Sequence, residues 1–258
     1  MLPFYWGNIN TIFIPLKLIK LDAIDSTNDY LKALRKKVEL EDGVIVLAHH
    51  QTRGRGQAAS HWYTEAGKSL SFSMFKRISG LDQQWQFAVN WAVSLGVKKG
   101  LELIGVNGVV IKWPNDILAD GRKVCGVLIE PQWHASRMVS AVIGVGINVN
   151  NLVFPNLPMA SSLALAAKRT FDIELVLENV AQSISSELDR LVASDYKELK
   201  LDYEQNLFRI NTISEFEDNQ GHRWKGTIQG VSDQGQLQVA LENGSLELFE
   251  MKQLQLIY

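Results

Sequence analysis

The chain has 258 residues, of which 46% are hydrophobic and 21% charged, and its formal net charge is −2. These values are ordinary for a globular protein with one large domain, or with one domain and a small appendix. The weak net charge gives no support to DNA or RNA as the main partner. The single cysteine, Cys125, excludes an internal disulfide and a cysteine-based zinc site, and its apolar neighbours predict a buried structural thiol.

The beginning of the chain is apolar, but it has no basic start and no small-residue cleavage site, and Pro3 and Pro15 interrupt it. A signal peptide is therefore not expected. No later stretch has the length and hydrophobicity of a transmembrane span, so we expect no membrane partner. A lone buried thiol fits a reducing compartment, which predicts a cytoplasmic location.

A polar turn with the sequence DAIDSTN, Asp22–Asn28, follows a predicted strand at Leu16–Leu21. Ser26 or Thr27 can cap the helix predicted from about Asp29 to Lys37, which is a structural explanation of the turn. Two adjacent hydroxyls also offer hydrogen-bond donors and acceptors to a small polar ligand, which is a functional explanation. The turn alone does not separate the two.

The loop Gln51–Trp62, QTRGRGQAASHW, lies between predicted strands at Val44–Leu47 and Ser69–Phe75. Its glycines, Gly54 and Gly56, alternate with arginines. Glycine lets a backbone approach a ligand and adopt positive φ, and arginine forks with backbone N–H groups hold carboxylates or phosphates. The loop therefore predicts an anion site, with its closing tryptophan placed to cover a flat ring. The plainer interpretation is a polar hairpin loop with surface arginines.

Apolar spacing over Gln83–Leu103 predicts an amphipathic helix with one buried face. A short apolar run, Val109–Trp113, then leads into KWPND, and Pro114 ends this predicted strand. Lys112 at its end is unusual, because lysine is rarely buried without a partner. The alternative is a surface lysine whose stem lies along the strand.

Two apolar stretches, Val124–Pro131 and Met138–Asn148, are predicted as paired strands, and Glu174–Val192 and Tyr196–Gln205 as helices. From Phe208 apolar residues alternate between turn signals, which predicts short strands in a small β-barrel domain. The predicted division is a larger domain at 1–207 and a β domain at 208–258. The turn signals are Asn219-Gln220-Gly221, Asp233-Gln234-Gly235 and Glu242-Asn243-Gly244.

Five segments occur in one order: the DSTN turn, a QTxGRGxxxxxxW loop, KWPND, a CGxLIE strand and a GxGINxN strand. Together they resemble the biotin protein ligase family, from about Leu18 to the end of the chain. The resemblance implies an α+β fold, with a mixed β-sheet flanked by helices and a small C-terminal SH3-like β-barrel. It implies that biotin and Mg-ATP form biotinyl-5'-AMP, and that the biotin passes to a lysine of a biotin carboxyl carrier domain.

The resemblance also implies the site residues. Biotin's ureido group needs hydrogen-bond partners, and its carboxylate must meet the α-phosphate of ATP, so the site needs fixed cations and N–H donors. Lys112 and Arg55 are the predicted catalytic residues, and no magnesium ligand is assigned beyond the candidates Asn115 and Asp116. The predicted biotin-binding residues are Ser26, Thr27, Asn28, Gln51, Gly54, Arg55, Gly56, Gln57 and Lys112. The predicted ATP-binding residues are Arg55, Gln57, Trp62, Lys112 and Asn148.

The loop departs from the commonest family pattern, because Gln57 stands where that pattern has an arginine. Too few residues precede Leu18 for the DNA-binding domain of some members, so we expect ligase activity without a nucleic-acid partner. Family members often dimerise through sheet edges, which makes a homodimer an expectation by analogy. Two rival interpretations are a lipoate or octanoate ligase of the same fold, and a non-catalytic regulator that binds biotin or a nucleotide.

Overall fold

A computed structural model describes residues 17–57, 60–193 and 196–258. The apolar start of the chain and two loop residues, Ala58 and Ala59, lie outside this described part.

A seven-stranded sheet forms the centre of the molecule, in the order β1-β2-β3-β7-β6-β5-β4. β1 and β2 are parallel, while every other neighbouring pair is antiparallel, so the predicted mixed sheet is confirmed. The sequence patterns did not predict β5, a strand of four residues that begins at the last residue of KWPND. The strands are β1 (Leu18–Ile24), β2 (Ile45–Gln51), β3 (Ser69–Asp82), β4 (Val109–Lys112), β5 (Asp116–Ala119), β6 (Arg122–His134) and β7 (Arg137–Asn148).

Helices cover both faces of this sheet. The described helices are α1 (Thr27–Arg35), α2 (Ala88–Leu103), α3 (Leu163–Ala167), α4 (Ile173–Ala193) and α5 (Tyr196–Gln205). Leu31 of α1 packs on Val46 and Phe75, while the alternate strand residues face a larger core with α2 and α4. Because neighbouring strand residues point to opposite faces, α1 and the α2–α4 pair lie on opposite sides of the sheet.

The prediction of one buried face for the second helix is wrong, because every residue from Ala88 to Val97 is buried. The helix also begins at Ala88, after a 3₁₀ turn at Gln83–Trp85. It lies between the sheet and α4, and Gly96 allows the close approach of α4. A Cβ built on Gly96 would lie 2.5 Å from the Cα of Ile184. The exposed residues of this helix lie only in its last turns, at Lys99, Glu102 and Leu103.

The predicted β domain is a five-stranded antiparallel sheet in the order β11-β10-β9-β8-β12. In the described part of the chain, β11 and β12 are its two edges. All three predicted turns are present, with positive φ at Gly221, Gly235 and Gly244. The strands are β8 (Ile213–Asp218), β9 (Arg223–Val231), β10 (Leu237–Leu241), β11 (Leu246–Phe249) and β12 (Leu254–Ile257).

The two sheets share one continuous hydrophobic core, which includes Phe216 and Leu256 of the smaller sheet. Trp113, next to β4, donates from Nε1 to the carbonyl oxygen of Gly235 at 2.8 Å. The KWPND segment is thereby fixed between the two sheets, and the division at 207/208 stays a prediction. No helix within the described ranges is long and apolar enough to cross a bilayer. The predicted burial of Cys125 is confirmed, and burial raises the pKa of its thiol.

Candidate functional site

The DSTN turn both caps α1 and faces a cavity. The Ser26 hydroxyl accepts a hydrogen bond from the backbone N–H of Asp29 at 3.4 Å, so the structural explanation of the turn is correct for this residue. Thr27 and Asn28 are the first residues of the helix, and all three side chains are buried. Buried hydroxyl and amide groups need partners, so their contacts indicate what they can still bind.

Thr27 is joined to two neighbouring strands by hydrogen bonds. Its backbone N–H and its hydroxyl donate to Oε1 of Gln51 at 2.8 and 3.1 Å. The hydroxyl of Ser73, which the sequence patterns did not single out, donates to Oγ1 of Thr27 at 2.6 Å. The Gln51 oxygen is therefore occupied, while its Nε2 has no hydrogen-bond partner among the described residues and is left as a donor.

A charged network closes the rim beside these groups. Asn28 donates from Nδ2 to Glu130 at 2.8 Å, and Lys32 contacts the same carboxylate at 2.7 Å. Arg55 contacts Asp29 at 2.7 Å and Glu130 at 3.2 Å. Burial opposes ionisation of Glu130, but the bonds from Lys32 and Asn28 outweigh it and lower the pKa of this carboxyl. In this state the predicted catalytic arginine is held by two carboxylates at the rim.

Glycines of β6 and β7 form the floor of the site. Gly126 and Gly146 pair across the two strands, so side chains built on them would share one face. A Cβ on Gly146 would lie 2.3 Å from the Trp62 ring, and one on Gly126 would lie 3.1 Å from it. A Cβ on Gly144 would lie 2.3 Å from Oδ1 of Asn28. Only glycine therefore lets the indole and the amide lie this close to the strands.

The predicted reason for the glycines of the QTRGRG loop needs a correction. Gly54 and Gly56 do not have positive φ. Instead the loop folds back on itself: the Trp62 N–H donates to the Gly54 carbonyl, and the Gly56 N–H donates to the Ser60 carbonyl, both at 2.8 Å. A Cβ on Gly54 would lie 2.5 Å from the Trp62 carbonyl oxygen. The glycines allow close contact with the returning chain, and the Gly56 N–H already has an acceptor.

A cavity of about 230 Å³, here called the first cavity, lies above this floor. Its apolar lining includes Phe72, Val127 and Leu128. Two predicted biotin-binding residues, Gly54 and Lys112, are not among the residues that line it. Those that do line it are Ser26, Thr27, Asn28, Gln51, Arg55, Gly56 and Gln57.

A second cavity of about 350 Å³ adjoins the first. Three of the predicted ATP-binding residues, Trp62, Lys112 and Asn148, line it, whereas Arg55 and Gln57 line only the first cavity. Asn148 is buried and donates from Nδ2 to the Ser161 carbonyl at 3.0 Å. The apolar wall comes from distant parts of the chain: Phe154, Leu157, Met159, Leu256 and Tyr258.

The two cavities meet at His61, Trp62, Asp116 and Lys123, which line both. Nζ of Lys123 lies 2.6 Å from Asp116 and 5.6 Å from the centre of the Trp62 ring. Nζ of Lys112 lies 4.0 Å from the same carboxylate. Burial lowers the pKa of Lys112, and Asp116 only partly offsets it. Two cations therefore flank one carboxylate where ligands from both sides would meet.

Lys123 was missed at the sequence level, although the signal that singled out Lys112 is present there too. Like Lys112, Lys123 adjoins an apolar strand stretch, here Val124–Pro131. Its place at the junction depends on the pairing of β6 with β7 and on the loop that carries Trp62. Lys112 lies on the second-cavity side, so its contact with a ligand in the first cavity stays a prediction.

The magnesium candidates Asn115 and Asp116 both lie beside the first cavity. The described ranges contain no group of three or more His, Cys, Asp or Glu side chains that could hold a metal ion. Nδ2 of Asn115 donates to the Val127 carbonyl at 2.6 Å, and Asp116 is paired with Lys123. Mg²⁺ is commonly bound by one or two carboxylates together with substrate phosphates. Both magnesium candidates are thus engaged with other parts of the chain, and the described residues assign no magnesium ligand.

The chain is similar to known proteins over nearly its whole length. It is 28% identical to the bifunctional ligase/repressor BirA of Bacillus spizizenii over 236 residues, covering 90% of this chain and 72% of that protein. It is 29% identical to the biotin–[acetyl-CoA-carboxylase] ligase of Mycobacterium tuberculosis, covering 82% of this chain and 79% of that protein.

Among solved structures, the biotin protein ligase from Aquifex aeolicus in complex with biotin and ATP matches with a TM-score of 0.74 and 26% identity. That match covers 93% of this chain and 98% of the other. The model of the biotin/lipoate A/B protein ligase family matches residues 21–148, which include α1, the QTRGRG loop, both junction lysines and the glycine floor. With its fold, its motifs and its relatives in agreement, the chain belongs to the biotin/lipoate A/B protein ligase family.

Proposed function

We propose that the protein is a biotin protein ligase, which converts biotin and ATP to biotinyl-5'-AMP and passes the biotin to a lysine of a biotin carboxyl carrier domain. The observation that carries this proposal is the pair of adjoining cavities that share Trp62, Asp116 and Lys123. One cavity offers hydrogen bonds and apolar contacts to a small polar ring, and the other offers an apolar wall. Such a cleft can hold two substrates whose reacting ends meet at the shared residues.

The first cavity suits biotin on chemical grounds. The free Nε2 of Gln51 can donate to the ureido oxygen, and the hydroxyls of Ser26 and Thr27 can accept from the ring N–H groups. The apolar lining at Phe72 and Leu128 can contain the bicyclic ring and the acyl chain. A ligand without the ureido group would leave the Nε2 donor of Gln51 unpaired, which costs roughly 1–3 kcal/mol for a buried group.

The junction suits the attack of a carboxylate on a phosphate. Both reactants are anions, so the approach needs fixed positive charge where negative charge develops. We propose that Lys123 acts on both reactants, that Lys112 acts from the nucleotide side, and that Arg55 leaves its carboxylate partners when the adenylate is present. Trp62 and Asn148 border the nucleotide. A Mg²⁺ ion would supply further charge to the phosphates.

The second half-reaction needs no nucleophile from this chain, because the carrier lysine attacks the acyl carbon of the adenylate. We place the reaction in the cytoplasm, since the lone buried thiol fits a reducing compartment.

The test is a transfer assay with a biotin carboxyl carrier domain, ATP and magnesium, in which mass spectrometry reports addition to the carrier. We expect addition of biotin, and loss of activity when magnesium is removed by EDTA. Lipoate or octanoate in place of biotin is the matched comparison. Preferred addition of either acid would favour the rival ligase, and binding of biotin without any biotinyl-5'-AMP would favour a non-catalytic regulator.

A further inference from the structure

Tyr258 connects the smaller sheet to the junction. It follows β12, is half-buried, and lines the second cavity together with Lys112. Nζ of Lys112 lies 5.4 Å from the centre of its ring. Phe208 supports the ring from the side in an edge-on contact, with 5.0 Å between ring centres. The ring is therefore held in place by the β domain and faces a cation of the central sheet.

Lys112 has a weak ionic environment for so buried an ammonium group. Within the described ranges its ion pair is with Asp116 at 4.0 Å, and that carboxylate lies closer to Lys123, at 2.6 Å. The charged and titratable groups that face Lys112 are thus Asp116, Lys123 and Tyr258. An aromatic face within about 6 Å attracts a cation, and the attraction is stronger when the site is desolvated.

We propose that Tyr258 is a positioning residue that holds the Lys112 ammonium at the junction, so that the β domain completes the nucleotide side of the active site. The role of Tyr258 in the reaction depends on the proposed function, whereas its contact with Lys112 does not. Lys112 stands at the end of β4 with a long flexible stem. The ring and Asp116 together define where its charge lies.

The proposal distinguishes the ring from the hydroxyl of Tyr258. Burial raises the pKa of this phenol, so it stays protonated at neutral pH and adds no charge beside Lys112. Tyr258→Phe keeps the aromatic face, whereas Tyr258→Leu keeps an apolar side chain but removes that face. The two variants therefore separate cation attraction from simple filling of the cavity wall.

The first measurement is steady-state formation of biotinyl-5'-AMP at varied ATP and varied biotin. We expect kcat/KM for ATP to fall about tenfold in Tyr258→Leu, from the size of a desolvated cation–aromatic contact. The KM for biotin should change little, and Tyr258→Phe should restore most of the loss. An equal loss of kcat/KM for ATP in Tyr258→Phe and Tyr258→Leu would overturn the proposal, and so would equal losses for ATP and biotin.

The second measurement determines the pKa of the Lys112 side chain in the absence of turnover. NMR titration of labelled lysine side chains, with the Lys112 signal identified by its loss in Lys112→Arg, gives its pKa in each protein. We expect this pKa to be lower in Tyr258→Leu than in the wild type and Tyr258→Phe, because the ring favours the charged form. An unchanged or raised pKa in Tyr258→Leu would overturn the contact. If the wild type forms no biotinyl-5'-AMP, the proposed function fails while this titration still decides the inference.

Discussion

The two cavities of the active site are built in different ways. The first is made mainly by strands of one sheet, β3, β6 and β7, and by the start of α1. Residues 55–57 and 60–62 of the QTRGRG loop and two residues of KWPND, Asn115 and Asp116, complete its lining. Its polar groups already bind one another, as in the bonds of Thr27 with Gln51 and Ser73. The second cavity is assembled from the KWPND segment, the connector at 154–160 and the last strand of the smaller sheet.

This difference has a consequence for how each substrate is held. A pocket in a continuous hydrogen-bonded sheet is preorganised, so it loses little freedom when a ligand binds. A pocket assembled from distant segments depends on how two sheets dock, here through Trp113, Gly235 and the shared core. We expect biotin binding to resist changes in the β domain and nucleotide binding to respond to them.

The largest effect is expected for Lys123, which lines both cavities. Its loss should therefore affect both substrates and not only one of them. Lys123→Ala should slow biotinyl-5'-AMP formation about 10²–10³-fold, roughly 2.7–4 kcal/mol, by analogy with the loss of one donor to a developing oxyanion. Pyrophosphate release measures the rate. Lys112→Ala should act mainly through ATP, and exposed Lys20→Ala is the control. A Lys123 variant as active as the control would remove this lysine from the reaction.

A smaller effect, confined to the first cavity, should follow a change in its floor. Gly144→Ala places a methyl group 2.3 Å from Oδ1 of Asn28, which must shift and loosen its contact with Glu130. Overpacking of this kind typically costs about 1–3 kcal/mol. Calorimetry should show weaker biotin binding with little change for ATP. Equal weakening of both ligands would mean that the two cavities are not independent.

Gln57→Arg should increase the difference between the two cavities, because Gln57 lines only the first one. We expect the QTRGRG loop of this variant to bind biotinyl-5'-AMP more tightly. Arginine adds a charged fork, and a charged hydrogen bond contributes about 1.5–3 kcal/mol against roughly 0.5–1.5 for a neutral one. In the proposed complex the phosphate charge would also strengthen a hydrogen bond from Gln57, so we expect a gain of only about 1 kcal/mol. Since about 1.4 kcal/mol corresponds to a tenfold change in rate, release of preformed labelled biotinyl-5'-AMP should slow about fivefold. Equal or faster release would show that Gln57 takes no part in retention.

The smallest effect should come from the rim. Since the pKa of Glu130 is lowered, its contribution to stability is present above the ordinary glutamate pKa and is lost as pH falls through the lowered value. Glu130→Gln should imitate this loss at neutral pH and leave Arg55 with Asp29 as its carboxylate partner, at a cost of about 1 kcal/mol or less for such a partly exposed pair. Hydrogen exchange over the described loop residues 51–57 should rise. Exchange that stays at the wild-type rate would show that other contacts hold Arg55.

Local sequence explains a large part of the molecule. Short apolar runs predicted most strands of the central sheet, while alternating apolar residues and glycine turn signals predicted the hairpins of the smaller sheet. Both kinds of signal depend on neighbours in the chain. Short-range patterns failed at β5 and at α2. The first is a four-residue strand after a proline turn, and the second is a helix whose first ten residues are all buried. Neither gives the periodic signal of a half-buried element.

The sequence by itself determined the family and the parts of the first cavity, since the STN turn, Gln51 and the arginine loop occur as short motifs with their own chemistry. Only the tertiary structure decided which cations meet at the junction and which ring faces Lys112. Arg55 reaches Glu130 across 75 positions, and Tyr258 reaches Lys112 from another sheet. Such contacts depend on the order of the strands and on how the two sheets pack together, so no pattern among neighbouring residues predicts them.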